Sequence, residues 1–197
     1  MRANRCVRVC ARLILLLIVT ATALLAPPPT LFAAGAPLVD PDPPATVPIT
    51  VPAIGRAWPV GSHPRVLRGW EPPATVYGPG HRGVDLAAPA GAPVRAVAGG
   101  RVAFAGRVAG RGVVSVDLTG TGDPPLRTTY EPVTAAVEEG EEVQPGEVIG
   151  TVDTSGSHCT ATCVHWGLRR GEDYVNPLSL LPPWLLYRGP SRLLPLA

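Results

Sequence analysis

Apolar residues in this chain come in short runs that glycine and proline interrupt. Val84–Leu86 is followed by Pro89-Ala90-Gly91, Pro93–Val97 by Gly99-Gly100, and Arg101–Phe104 by Gly106. Val113–Leu118 alternates, with Val114, Val116 and Leu118 on one face, the two-residue period of a half-buried strand. Arg127–Val133 predicts a further strand. Val143, Gly146 and Val148-Ile149-Gly150 predict a tight hairpin-like pair, and Val164–Leu168 a last strand. No stretch carries a strong helical period. Leu178 to Leu186 predicts at most a turn or two, broken by Pro182-Pro183. Many short strands with Gly/Pro turns predict an all-β fold built from antiparallel sheet.

The ends follow a different pattern. Arg2, Arg5, Arg8 and Arg12 precede an apolar run from Leu13 to Ala26, which Pro27-Pro28-Pro29 ends and small residues follow. Residues 1–36 therefore read as an export signal, either cleaved or kept as an N-terminal anchor. Residues 37–57 are rich in proline and predict an extended linker. A single domain is expected over 58–181, with an apolar tail at 182–197. Trp58 and Trp70, among prolines, predict an irregular entry segment covering one end of the sheet.

Charge follows from this division. All 17 basic residues are arginine, against 15 acids. Loss of residues 1–36 removes four arginines and leaves 13 against 15, a net of −2. The basic balance thus belongs to targeting, and no nucleic-acid footprint remains. Cys6 and Cys10 lie in the signal. Cys159 and Cys163 are the remaining pair, and in an exported chain a pair reads as a disulfide.

The candidate chemistry centres on Gly80-His81-Arg82-Gly83-Val84-Asp85-Leu86, with Cys163-Val164-His165-Trp166-Gly167 some eighty residues later. His81, Asp85 and His165 read as three ligands of one zinc ion. Zinc–ligand bonds are about 2.0–2.2 Å. Four residues of straight strand span roughly 13 Å, and Pro79, Gly80 and Gly83 oppose a helix. A bend at Gly83, between a loop with His81 and a strand with Asp85, would bring the two together. A His/Asp pair by itself is most often a solvated surface pair. The acidic run Glu138-Glu139-Gly140-Glu141-Glu142 reads as a solvated loop.

His81-Arg82-Gly83-Val84-Asp85, then Pro89 through Ala96, Gly99-Gly100-Arg101-Val102, Gly140 through Gly150, and Val164-His165 with Asn176-Pro177-Leu178 occur in this order. Together they resemble the LytM- and lysostaphin-type zinc endopeptidases, over roughly residues 76 to 181. The resemblance implies a compact antiparallel β-sheet or sandwich with a groove and a zinc ion at its floor. It implies ligands at His81, Asp85 and His165, and action on the cross-linking peptides of bacterial peptidoglycan. Some relatives have lost activity and regulate other wall hydrolases, so a second wall hydrolase is the alternative partner. The implied location is the cell wall or the outer face of the cytoplasmic membrane. Membrane contact would come only through a retained N-terminal anchor.

The family also uses two histidines that do not bind metal. One belongs to a Tyr-x-His-Leu pattern, which here reads Tyr130-Glu131-Pro132-Val133; the other is the first histidine of a His-x-His, here Cys163-Val164-His165. Zinc with three protein ligands and an open position can polarise a scissile carbonyl. Proton transfer by a positioned side chain is worth about 100- to 10,000-fold more. Proline cannot do this, and a disulfide would remove the Cys163 thiol. Three surrogates present themselves. Glu131 neighbours the vacant position but would need a bulge or strand end to point inward. His158 lies in a loop that can fold over the groove. Tyr130 offers a hydroxyl to a substrate carbonyl. Trp166 is expected to cover the site from the sheet's other face. A thiolate-rich zinc site from Cys159, Cys163 and His165 is a further arrangement, against which the export signal counts. Repeated Val-x-x-Gly patterns also occur in biotin- and lipoate-carrier barrels, but those modify a lysine, and this chain has none.

Overall fold

Alternation is realised as ladder where the chain predicts it most clearly. Val114, Val116 and Leu118 all turn into the core from one strand. The computed structural model describes residues 49–75, 77–160 and 162–187. The expected export signal and most of the expected linker, through residue 48, lie outside them, as do residues 188–197 of the tail. Among the described residues no helix is long and apolar enough to cross a membrane.

The described residues form eleven strands, in chain order: β1 Val66–Arg68, β2 Gly83–Ala87, β3 Pro93–Arg95, β4 Gly100–Val108, β5 Arg111–Leu118, β6 Leu126–Glu131, β7 Val133–Ala135, β8 Glu142–Val143, β9 Val148–Val152, β10 Cys163–Arg170 and β11 Asp173–Tyr174. A 3-10 turn at Pro177–Leu180 and a short helix α1 at Pro183–Leu186 follow. Two sheets result. The larger runs β1-β2-β10-β6-β5-β4-β8, with β11 beside β10; the smaller runs β3-β9-β7. Every pairing is antiparallel. The all-β antiparallel expectation is met.

Two local expectations are not. Arg127–Val133 is not one strand. Pro132 lacks the N–H a ladder needs, so β6 ends at Glu131 and the chain passes into the smaller sheet as β7. Nor do Val143 and Val148–Gly150 pair as a hairpin. β8 joins β4, while β9 lies between β3 and β7. Gly146, at φ +82°, turns the chain between the two sheets rather than within one.

The core gathers Val84, Leu86, Val94, Val97, Val114, Val116, Leu126, Tyr130, Ile149, Val164, Trp166 and Leu168 between the layers. Trp58 is buried and donates its indole N–H to the Leu185 carbonyl at 3.0 Å, so the entry segment and α1 close one end together. Val51 and Ile54, from the end of the expected linker, also pack on the core, and Gly55 and Arg56 donate to the Leu180 and Val97 carbonyls.

Candidate metal centre

Three strands position the site. β10 pairs with β2 on one side and β6 on the other, so His165 faces Asp85 across one ladder and Glu131 across the other. Directly opposed residues project to the same face. His81 lies just ahead of β2, where its backbone exchanges two hydrogen bonds with Glu71. That bridge carries the imidazole back over the strand to meet Asp85.

The three expected ligands converge. His81 Nε2 lies 3.1 Å from Asp85 Oδ1 and 3.1 Å from His165 Nδ1, and His165 Nδ1 lies 2.8 Å from Asp85 Oδ1. Tetrahedral zinc with bonds of about 2.0–2.1 Å separates its donors by about 3.3–3.4 Å. His81 Nδ1 lies 2.6 Å from the Gly69 carbonyl. Its proton is therefore directed at that oxygen, which fixes the tautomer and turns the Nε2 lone pair inward. His81 and Asp85 are buried. Burial pulls the Asp85 carboxyl up, but hydrogen bonds from His165 and His158 and the nearby imidazoles outweigh it and hold the group at about 2. Two imidazoles, one of them oriented from behind by a carbonyl, and a carboxylate whose pKa is lowered suit a zinc ion.

Gly83 serves the site differently from the expected bend. Its φ lies outside the left-handed region. What matters is the missing side chain: a Cβ there would stand 2.4 Å from the Trp166 carbonyl oxygen and 2.6 Å from His165 Nε2. Gly83 lets β2 approach β10 closely enough for the His165 ring to reach Asp85. Trp166, as expected, lies on the opposite face, fully buried, its N–H donated to Thr128 Oγ1 at 2.7 Å.

Of the surrogates, His158 reaches the centre, with Nε2 3.0 Å from Asp85 Oδ2. Glu131 faces the groove beside His165 without any bulge, because β6 ends there, and it is salt-bridged to Arg111 at 2.8 Å. Tyr130 is excluded as a donor to substrate. It is completely buried, and its hydroxyl oxygen accepts the Val97 N–H at 3.2 Å. Burial pushes its phenol up to about 12. Pro132 is buried. Cys159 and Cys163 form the expected disulfide, so neither sulfur is a thiolate ligand and the thiolate-rich arrangement falls. The Gly69 carbonyl and Arg111 had no local sequence signal. Both reach their partners through tertiary pairing.

A cleft of about 250 Å³ runs beside the ligands, lined by His165, Glu131, Thr129, Gly167, Arg82 and Arg127. A larger one of about 680 Å³, between Trp58, His63, Leu178 and Leu186, includes none of the ligand side chains.

The model of peptidase family M23 matches residues 79–177, which contain all three ligand positions. An uncharacterized protein of Mycobacterium tuberculosis is 42% identical over 145 residues, covering 71% of this chain and 55% of that one. The DD-carboxypeptidase/endopeptidase Mpg of Neisseria gonorrhoeae is 37% identical over 103 residues, 52% of this chain and 23% of its own. The murein hydrolase activator NlpD of Salmonella typhimurium is 33% identical over 103 residues, 52% of this chain and 26% of its own. The chain thus spans about half the length of the mycobacterial relative and about a quarter of the other two.

Proposed function

The chain belongs to peptidase family M23, and we propose that it is an exported zinc-dependent endopeptidase domain acting on the cross-linking peptides of peptidoglycan. One observation carries the reading. The His81, Asp85 and His165 donor atoms stand 2.8–3.1 Å apart, with His81 oriented by the Gly69 carbonyl. Zinc held there would supply Lewis acidity toward a peptide carbonyl. The likeness to Mpg, named as an endopeptidase, supports the reaction class. The N-terminal apolar run and the disulfide support export.

The chain's own groups would do the rest. Gly167, on the groove side of β10 and in the wall of the cleft, leaves backbone bare for an extended peptide. Asp85 fixes the ligand geometry. Glu131, set beside His165 by the ladder, is the carboxylate placed to carry a proton.

A second reading has its own observation. The family's proton-transfer positions hold buried Pro132 and disulfide-bonded Cys163, the pattern expected of a domain that binds the wall or regulates another hydrolase. The likeness to NlpD, named as an activator, supports it.

Chromatography of muropeptides released from purified sacculi by the zinc-loaded chain separates the two. The endopeptidase reading predicts release that His165→Ala abolishes. Sacculus binding without release contradicts it and leaves the regulatory reading.

A further inference from the structure

Four side chains, not three, converge at this centre. The donor atoms of His81, Asp85, His158 and His165 all lie within 4.8 Å of one another. His158 comes from the loop between β9 and β10. Its Nε2 is 3.0 Å from Asp85 Oδ2, whereas His81 and His165 share Oδ1. Its ring stands edge-on to both, with centroids 5.6 Å from His165 and 6.4 Å from His81. The carboxylate attracts the imidazole, and a tether can hold the loop that carries it.

The disulfide does so. Cys159, the next residue, is bonded to Cys163 at the start of β10, two residues before His165. Ser157 reinforces the clasp, its Oγ 3.7 Å from Cys163 Sγ and 3.4 Å from the Cys159 nitrogen. The strand position where the family carries a histidine therefore carries a tether, and the residue before the tethered Cys159 sets its imidazole against Asp85.

We propose that His158 is a fourth protein ligand of the metal centre, held there by the Cys159–Cys163 disulfide, so that the centre is closed at rest. This rests on the zinc reading of the preceding section. Four protein ligands make a zinc site of structural type, whereas a catalytic site keeps one position open. Cleavage through this centre then requires the Ser155–Thr160 loop to withdraw the imidazole, which slows release by the wild-type chain without abolishing it.

Cobalt(II) in place of zinc makes coordination visible. The full chain, His158→Ala and the double variant Cys159→Ser/Cys163→Ser are loaded with cobalt and titrated with acetohydroxamate, an external metal ligand, while visible absorption is followed. The wild-type spectrum is expected to be insensitive, and both variants to respond. His158→Ala is also expected to weaken cobalt binding by at least about tenfold and to raise muropeptide release. Circular dichroism establishes that the variants are folded. A wild-type spectrum that responds as the variants do overturns the fourth ligand while leaving the zinc reading intact. A double variant as insensitive as wild type overturns the tether. Release lost in His158→Ala, with an unchanged cobalt spectrum, overturns the cap in favour of a proton-transfer role. No cobalt or zinc binding in any form overturns this proposal together with the zinc reading.

Discussion

Two rows of residues cross the same three strands one position apart. Asp85, His165 and Glu131 lie opposite one another on β2, β10 and β6 and face the groove; Val84, Trp166 and Tyr130 do the same and face the core. The backbone is common to both, and only the parity of the position differs. The core row is completely buried, and its polar atoms are satisfied internally: Trp166 bonds to Thr128, and Tyr130 accepts from Val97. The groove row carries charge: Asp85 meets His165 within the row and His81 and His158 outside it, and Glu131 pairs with Arg111. The core row therefore holds the fold, the groove row supplies two of the three proposed metal ligands, Asp85 and His165, and substitutions in the two should have separable effects.

The largest expected effect is on the core row. Trp166→Ala removes the largest fully buried side chain and should cost about 3–5 kcal/mol, read as a loss of unfolding free energy in denaturant whether or not zinc is present. His165→Ala, one residue away, should leave the metal-free fold intact. It should weaken zinc binding by more than the roughly 10- to 100-fold typical of groups outside the ligands, measured by chelator competition. Equal loss of stability in the two variants would break the comparison.

Gly83→Ala tests where the rows meet. Its Cβ would press on the Trp166 carbonyl and the His165 ring together, so stability should fall by about 1–3 kcal/mol and zinc affinity with it. Tyr130→Phe leaves the Val97 N–H without its acceptor and should cost about 1 kcal/mol with no change in zinc affinity. It also carries a pH signature. Burial raises the phenol from 10.0 to about 12, so above pH 10 the unfolded chain releases a proton the folded chain keeps. Wild-type stability should then fall as pH rises toward 12, and Tyr130→Phe should lack that fall. Smallest is Asp117→Asn, which breaks the Asp117–Arg127 pair, 2.6 and 2.8 Å long. Both side chains are partly exposed, so the cost should be under about 1 kcal/mol.

These rows also show what could be read from the sequence. Alternation made β5 and the apolar side of β10 legible, and family motifs made His81, Asp85 and His165 legible. The strand end that Glu131 needs in order to face the groove is legible in Pro132; that the residue then stands opposite His165 is not. Tyr130 was a plausible donor only while its face was unknown. The role of Gly83 depends on the distance between two strands, which spacing along the chain does not encode. His158 was visible as a loop histidine, but its destination follows from a disulfide acting together with a buried carboxylate.

The central claim is that His81, Asp85 and His165 hold one zinc ion independently of the core row. Zinc content by atomic emission after dialysis at fixed free zinc, on wild type and His165→Ala, tests it most directly. The account predicts one zinc per wild-type chain and essentially none on the variant, with the same circular dichroism spectrum. A wild-type chain that retains no zinc, or a variant that retains as much, would contradict it.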